Sequence, residues 1–284
     1  MNQEEIFIIG ANGQLGTALR RKYPAAKFAD IDQMDITKRD SVLNYDWSGI
    51  KIILNAAAYT NVDGAETAEG RVTAWQVNAQ AVSYLAQVAR QYDITLVHVS
   101  TDYVFDGSHG PHKEDEPLSP LGVYAATKAA ADIIVGACPK HYILRTSFVI
   151  GEGHNFVRIM LDLGKKGVNP SVIADQQGRI TFTSELVRAI DHLLSSVCPF
   201  GTYNVSNSGE PTSWAGLTRA IFEFAGLDNS VTDITTAAYY KDKPDTSPRP
   251  LNSVLDLTKI EATGFKPVDW QQDLKEYVNK EMNK

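Results

Sequence analysis

Ile6-Phe7-Ile8-Ile9, a short run of β-branched and aromatic residues, leads straight into Gly10-Ala11-Asn12-Gly13-Gln14-Leu15-Gly16. No other stretch of the chain restricts its fold as tightly. A buried strand that ends in spaced glycines and opens onto a helix, read here over Gln14 to Lys22, gives each glycine a separate task. Gly10 permits the tight turn, Gly13 lets backbone approach a ligand, and Gly16 lets the helix pack close to the strand. The backbone N–H groups at the helix start then face outward, where they suit a phosphate. The turn, with Asn12, Gln14 and Leu15 completing it, therefore reads as a dinucleotide site.

The rest of the N-terminal half keeps the same rhythm. Apolar runs at Ala26 to Ala29, Ile50 to Leu54, Ile94 to Val99 and Tyr142 to Leu144 predict strands. One long helical pattern is expected over about Ala65 to Tyr92. Near-continuous apolar strands alternating with helices point to a parallel sheet covered on both faces. The fold expected is α/β: a Rossmann-like, doubly wound parallel sheet over residues 1–150, with a smaller C-terminal substrate-binding lobe over 151–284 and crossings back to the sheet. In the lobe, helices are expected at Ser184 to Ser196, Thr212 to Ala225 and Trp270 to Met282, between turn-rich segments. One of those segments, Lys243 to Pro250, precedes Asn252-Ser253.

Composition narrows the class of function. The chain of 284 residues carries 43% hydrophobic and 21% charged residues, enough apolar material for a sizeable core. Its net charge of −7 lacks the basic footprint of a nucleic-acid or anionic-membrane binder. No apolar run is long enough to span a bilayer, and the Met1-Asn2-Gln3-Glu4-Glu5 start is unlike a signal peptide. Two cysteines, Cys138 and Cys198, suit reduced thiols. A cytoplasmic enzyme acting on a small molecule is expected, as a monomer or a homodimer.

Two further groups carry chemistry. Asp30 and Asp32 end the second predicted strand, about twenty residues past Gly10, where a carboxylate can accept from the adenosine ribose hydroxyls. Such a charge would repel a 2′-phosphate, so NADH is favoured slightly over NADPH, with one of the two aspartates a solvated loop charge. Ser100-Thr101-Asp102-Tyr103 follows the Ile94 strand and places hydroxyls at the sheet's carboxyl edge. Tyr124 and Lys128, four apart, share one face of a helix. An ammonium beside a phenol lowers its pKa, and a phenol so tuned exchanges a proton with a carbonyl or alcohol oxygen as hydride moves.

Together with Asn55-Ala56-Ala57-Ala58, these motifs resemble the extended short-chain dehydrogenases/reductases. The resemblance is closest to the dTDP-4-dehydrorhamnose reductases and covers nearly the whole chain. It rests on Met34-Asp35-Ile36-Thr37, Tyr59-Thr60 with Val62-Asp63 and Glu66, Arg145-Thr146-Ser147, Asn155-Phe156, Ala174-Asp175-Gln176 with Gly178, and Arg249-Pro250-Leu251-Asn252-Ser253. The resemblance implies reduction of the C4 keto group of dTDP-4-dehydro-β-L-rhamnose by NADH or NADPH. Tyr124 would then donate the proton, Lys128 would tune it and hold the nicotinamide ribose, and Thr101 would bond the C4 oxygen. Asp35 and Ile36 would hold adenine, while Ala56, Ala57 and Ala58 would line the pyrophosphate and nicotinamide. Asp102, Phe148, Asn155, Arg249 and Asn252 would contact the nucleotide-sugar, with Arg249 a partner for diphosphate. Phe148 stands where the family usually has Trp, and Ala125 where Gly is usual. Some members bind magnesium through an N-terminal-helix glutamate; Ala18 matches that position although Glu185 remains, so no such metal site is expected.

Two other readings stay open on sequence. One is another nucleotide-sugar enzyme of the superfamily, a 4-epimerase or 4,6-dehydratase; Tyr103 stands where a dehydratase needs a glutamate. The other is a non-catalytic NADP-binding regulatory subunit like the β subunit of methionine adenosyltransferase. The cluster His109-Gly110-Pro111-His112 with Glu114, Asp115 and Glu116 is read as a solvated loop rather than a metal site. His98 is read as a satisfied core histidine, and Trp214, Phe222 and Phe224 as the packing face of a lobe helix.

Overall fold

A computed structural model describes residues 1–243 and 246–284. Pro244 and Asp245, inside the Lys243–Pro250 stretch, lie outside the described residues. Strands β1 (Ile6–Ile9), β2 (Lys27–Ala29), β3 (Ile52–Asn55), β4 (Thr95–Thr101) and β5 (His141–Thr146) form one parallel sheet with a sixth strand, Gly201–Asn204. The spatial order is Gly201–Asn204, β5, β4, β3, β1, β2. The chain winds outward from β1 to β2, then returns to the other side of β1 and winds outward again. This reversal leaves a crevice between the carboxyl ends of β1 and β3, where ligands of open α/β sheets bind.

Both faces of the sheet are covered, so its strands are apolar throughout. On one face α1 (Gln14–Lys22) and α7 (Thr183–Ser195) pack Leu15, Leu19, Leu186, Ile190 and Leu193 against Ile6, Ile8 and Leu54. On the other, α4 (Ala81–Gln91) and α5 (Val123–Gly136) pack Leu85, Val88, Ala131 and Val135 against Phe7, Ile9 and Ile53. The lobe has a core of its own. There α6 (Phe156–Lys165), α8 (Trp214–Ala225) and the helix Trp270–Met282 bury Leu161, Ile221, Phe222, Trp270 and Leu274. Past residue 150 the chain returns to the sheet with α7, with the Gly201–Asn204 strand, and with Leu257, Ile260 and Phe265.

The single helix expected over Ala65 to Tyr92 is broken. A 3₁₀ turn at Gly64–Glu66 precedes α3 (Ala68–Trp75), and a π-helical turn, Gln76–Gln80, separates α3 from α4. Thr67 caps α3 by accepting from the Gly70 N–H at 3.0 Å, which restarts the helix there. The extra residue in the π-turn is explained by Asn78, which is buried. Its amide donates to Tyr59 O at 3.1 Å and to Thr127 Oγ1 at 3.0 Å, and its Oδ1 accepts from Tyr59 N at 2.8 Å. No helix among the described residues is long and apolar enough to cross a membrane.

Candidate active site

The turn after β1 is built almost wholly from backbone. Gly10 has φ of +75°, and a Cβ there would stand 2.6 Å from Ala57 N. A Cβ on Gly16 would stand 2.0 Å from Gly10 O, so α1 can lie against the turn only with glycine at that position. Gly13 caps α1 without a side chain, which leaves the first-turn N–H groups from Gln14 onward free of a side-chain cap. Leu15 anchors the same turn in the core. Asp30 bolts the turn to the end of β2: its Oδ2 accepts from Asn12 N and its Oδ1 from Ile31 N, both at 2.8 Å. Asp32 is exposed.

Beside this turn lies a cavity of about 420 Å³, lined by Gly10, Gly13, Asp30, Asp35, Ile36, Ala56, Ala57 and Ala58 among others. Eight of the residues expected to hold a dinucleotide therefore share one crevice, at the reversal point of the sheet. Asp35 is shaped for recognition rather than left loose. The Thr37 hydroxyl donates to its Oδ1 at 2.6 Å and holds its carboxyl below the usual range. The fit to a nicotinamide dinucleotide is good: a glycine cradle that a Cβ would fill, free helix N–H groups for phosphate, and apolar walls from three alanines.

Two strands along, the end of β4 delivers Thr101 and Asp102. Thr101 Oγ1 donates to Asp102 Oδ1 at 2.9 Å and accepts from Tyr103 N at 3.2 Å. Tyr124 enters on the first turn of α5, with the Thr101 hydroxyl beside its phenol oxygen. Gly122, which caps α5, lets the Ser247 segment lie close over it: a Cβ there would meet Ser247 Oγ at 2.1 Å and Glu66 Oε1 at 2.8 Å. Burial pushes the Tyr124 phenol above its usual pKa, the neighbouring Asp102 charge adds to this, and the Thr101 hydroxyl opposes it. Burial also raises Asp102 to about 6, against hydrogen bonds from Ser253 and Thr101.

Lys128 is buried and donates to Val99 O at 2.7 Å, with His98 Nε2 at 3.2 Å. Burial in turn brings Lys128 down to about 8, with Asp132, one turn further along α5, pulling the other way. His98 is wholly buried and links the two halves of the site. Asn55 Oδ1 accepts from Ala57 N at 3.2 Å, so its amide N–H₂ faces His98 Nδ1 at 3.0 Å. Burial holds the ring neutral.

The side chains expected to contact substrate divide into three groups. Phe148 belongs to the lobe, stacked on Trp214 at 4.0 Å between ring centroids and 21° between planes. It adopts φ of +46°, and its ring lies where a Cβ on Gly178 would meet it at 2.9 Å. The Ala174-Asp175-Gln176 motif supports this platform, since Trp214 Nε1 donates to Gln176 Oε1 at 3.1 Å. Arg249 and Asn252 sit on the strap that passes over Gly122. Arg249 Nη1 donates to Asp63 Oδ1 at 2.6 Å, so its expected diphosphate contact shares the guanidinium with this ion pair. Asn252 Oδ1 accepts from Val254 N at 3.0 Å and braces the strap locally. Asn155 is the third group and a correction. It caps α6, accepting from Arg158 N and donating to Gly151 O and Tyr277 Oη, so its polar atoms serve the fold rather than a ligand.

The loop at His109–Glu116 is a second correction, since it is not simply solvated. His112 is buried, stacked on Phe105 at 4.5 Å, and bonded to Glu116 Oε2 at 2.8 Å. The core reading for Phe222, buried in the lobe, agrees with the structure; Cys138 and Cys198 are both buried and free.

Sequence reasoning passed over Asp132, Arg145 as a charge, and Asn78. Asp132 and Arg145 form a buried ion pair at 2.9 Å beneath Lys128. A signal existed for Asp132, which repeats the four-residue spacing of Tyr124 and Lys128 on the same helix face. For Asn78 there was none, because nothing in the sequence marks a π-turn.

The profile of the RmlD substrate binding domain family matches residues 4–283. A dTDP-4-dehydrorhamnose reductase of Aggregatibacter actinomycetemcomitans is 39% identical, covering 95% of this chain and 97% of its own. The chain belongs to the dTDP-4-dehydrorhamnose reductase family. The crystal structure of a dTDP-4-dehydrorhamnose reductase from Clostridium acetobutylicum superimposes with a TM-score of 0.89 at 33% identity, covering 97% of this chain and 98% of that one. The Bacillus anthracis dTDP-4-dehydrorhamnose reductase in complex with NADP gives a TM-score of 0.88 at 31% identity, with the same coverage.

Proposed function

We propose that this chain reduces the C4 keto group of dTDP-4-dehydro-β-L-rhamnose to the alcohol of dTDP-β-L-rhamnose, with NADH or NADPH. The observation that carries the reading is the Tyr124 phenol beside the Thr101 hydroxyl, at the end of a strand two places from the dinucleotide cradle. A bound nicotinamide dinucleotide would supply the hydride for C4. The proton for the C4 oxygen comes from Tyr124, whose burial and Asp102 neighbour keep it protonated at neutral pH. A phenol in that state keeps its proton until negative charge develops on the C4 oxygen, and a positioned general acid is worth about 10²–10⁴ in rate. Thr101 fixes the same oxygen by a hydrogen bond. Lys128 holds the nicotinamide ribose and tunes the phenol once the dinucleotide is bound.

The remaining contacts follow from the substrate's two ends. Asp102 and Phe148 serve the sugar, while Arg249 and Asn252 on the strap serve the nucleotide diphosphate. Asp30 at the adenosine end favours an unphosphorylated ribose, so NADH is used somewhat better than NADPH. The test is turnover with enzymatically prepared keto-sugar and each dinucleotide in turn. Formation of dTDP-β-L-rhamnose with loss of reduced cofactor is expected. Tight binding of both dinucleotides without oxidation of either overturns the reading.

A further inference from the structure

His109, His112 and Glu116 each present one ligand-type atom within 4.8 Å of one another, outside the reaction crevice. Glu116 Oε2 lies 2.8 Å from His112 Nδ1 and 3.3 Å from His109 Nε2. Zinc bonds to His nitrogen and carboxylate oxygen run about 2.0–2.2 Å, which sets tetrahedral ligands about 3.4 Å apart. The His109–Glu116 separation already matches. The His112–Glu116 pair needs to open by about 0.6 Å to admit the ion.

Two of the three ligands are held in the manner of a built site. A metal-bound histidine usually donates its other N–H to a carbonyl or carboxylate, which fixes the tautomer. His112 does this: its Nε2 lies 3.2 Å from Asn252 O. The ring cannot turn away, being buried and stacked on Phe105 at an interplanar angle of 4°. Glu116 is held by its second oxygen, which accepts from Lys113 N at 2.8 Å. His109 is exposed and supplies the movable third ligand. A cation on Nδ1 leaves the Nε2 contact with Asn252 O intact.

We propose that His109, His112 and Glu116 form a binding site for a zinc-class divalent cation that clamps the His109–Glu116 loop to the Asn252–Asp256 segment. The backbone prepares the clamp: His112 N donates to Val254 O and Asp256 N donates to His112 O, both at 2.8 Å. Two histidines and one carboxylate suit zinc or nickel over magnesium or calcium, and solvent supplies the fourth position beside His109. The cation stabilises the loop and takes no part in hydride or proton transfer.

The test is titration of the metal-free protein with zinc chloride against a chromogenic chelator, at two pH values. One equivalent should bind, more weakly at the lower pH because the ion competes with protons for His112. His109→Ala removes an exposed side chain and leaves the fold untouched; it should weaken binding by about tenfold or more. Glu116→Gln should weaken it further. Wild-type protein that binds no zinc, or binds it no better than His109→Ala, overturns the proposal. A Cys138→Ser, Cys198→Ser variant should bind as wild type does; loss of binding there assigns the zinc to the thiols and also overturns it.

Discussion

The proposed dinucleotide end and the proposed reacting end of the site are made of different material. At the dinucleotide end the shape comes from backbone: the Gly10 turn, the uncapped start of α1, and the alanines after β3. At the reacting end it comes from buried side chains that hold one another, Thr101 to Asp102, Lys128 to His98 and Val99, Asp132 to Arg145. A backbone-built site fails when a Cβ is added. A side-chain network fails when one partner is removed and the other is left buried without it.

The largest effect should come from the network. Arg145→Met leaves Asp132 buried without its partner and should lower stability by about 3–5 kcal/mol, read by urea unfolding. Replacing Asp132 and Arg145 together by apolar residues should recover much of that loss, which would show the cost to be the unpaired charge. Asp102 comes next. Its folded pKa of about 6 is raised above the unfolded value, so its favourable contribution is fully present below the unfolded pKa. That contribution is lost as pH rises through about 6, and the native state then carries a burial cost of about 2–3 kcal/mol. Asp102→Asn should flatten this part of the stability profile, measured by unfolding at a series of pH values between 4 and 7.

The backbone end should give smaller and more local effects. Gly16→Ala forces a Cβ onto Gly10 O and should cost about 1–3 kcal/mol, with dinucleotide affinity falling more than the melting temperature suggests. If affinity for dinucleotide survives unchanged, the turn is not the cradle. Asp30→Asn should give the smallest change, a shift of less than about tenfold in the NADH-to-NADPH affinity ratio toward NADPH, read by fluorescence titration. A shift toward NADH would invert the role assigned to Asp30.

The same contrast explains what could be read in advance. Gly10 to Gly16 was legible because strand, turn and helix are consecutive, and α1 begins and ends at the expected Gln14 and Lys22. The helix Trp270–Met282 was legible for the same reason. Tyr124 and Lys128 were legible from their four-residue spacing and Thr101 from the family resemblance, but the upward push of burial and Asp102 on the phenol was not, since desolvation has no signature in a sequence. His112 looked solvated because its neighbours are charged; only the fold shows Phe105 and Asn252 closing around it. Asn155 matched a family motif yet acts as a helix cap, and Arg249 reached the site already paired with Asp63, a residue 186 positions away.

The most direct test of the central claim, that Tyr124 is the proton donor in this crevice, is the Tyr124→Phe enzyme measured for both turnover and dinucleotide affinity. The phenyl ring keeps the packing against Tyr103 and loses only the hydroxyl. The expected result is kcat lower by about 10²–10⁴ with NADH and NADPH dissociation constants within about twofold of wild type. Wild-type turnover in that variant would contradict the account, and so would a loss of activity that is matched by an equal loss of cofactor binding.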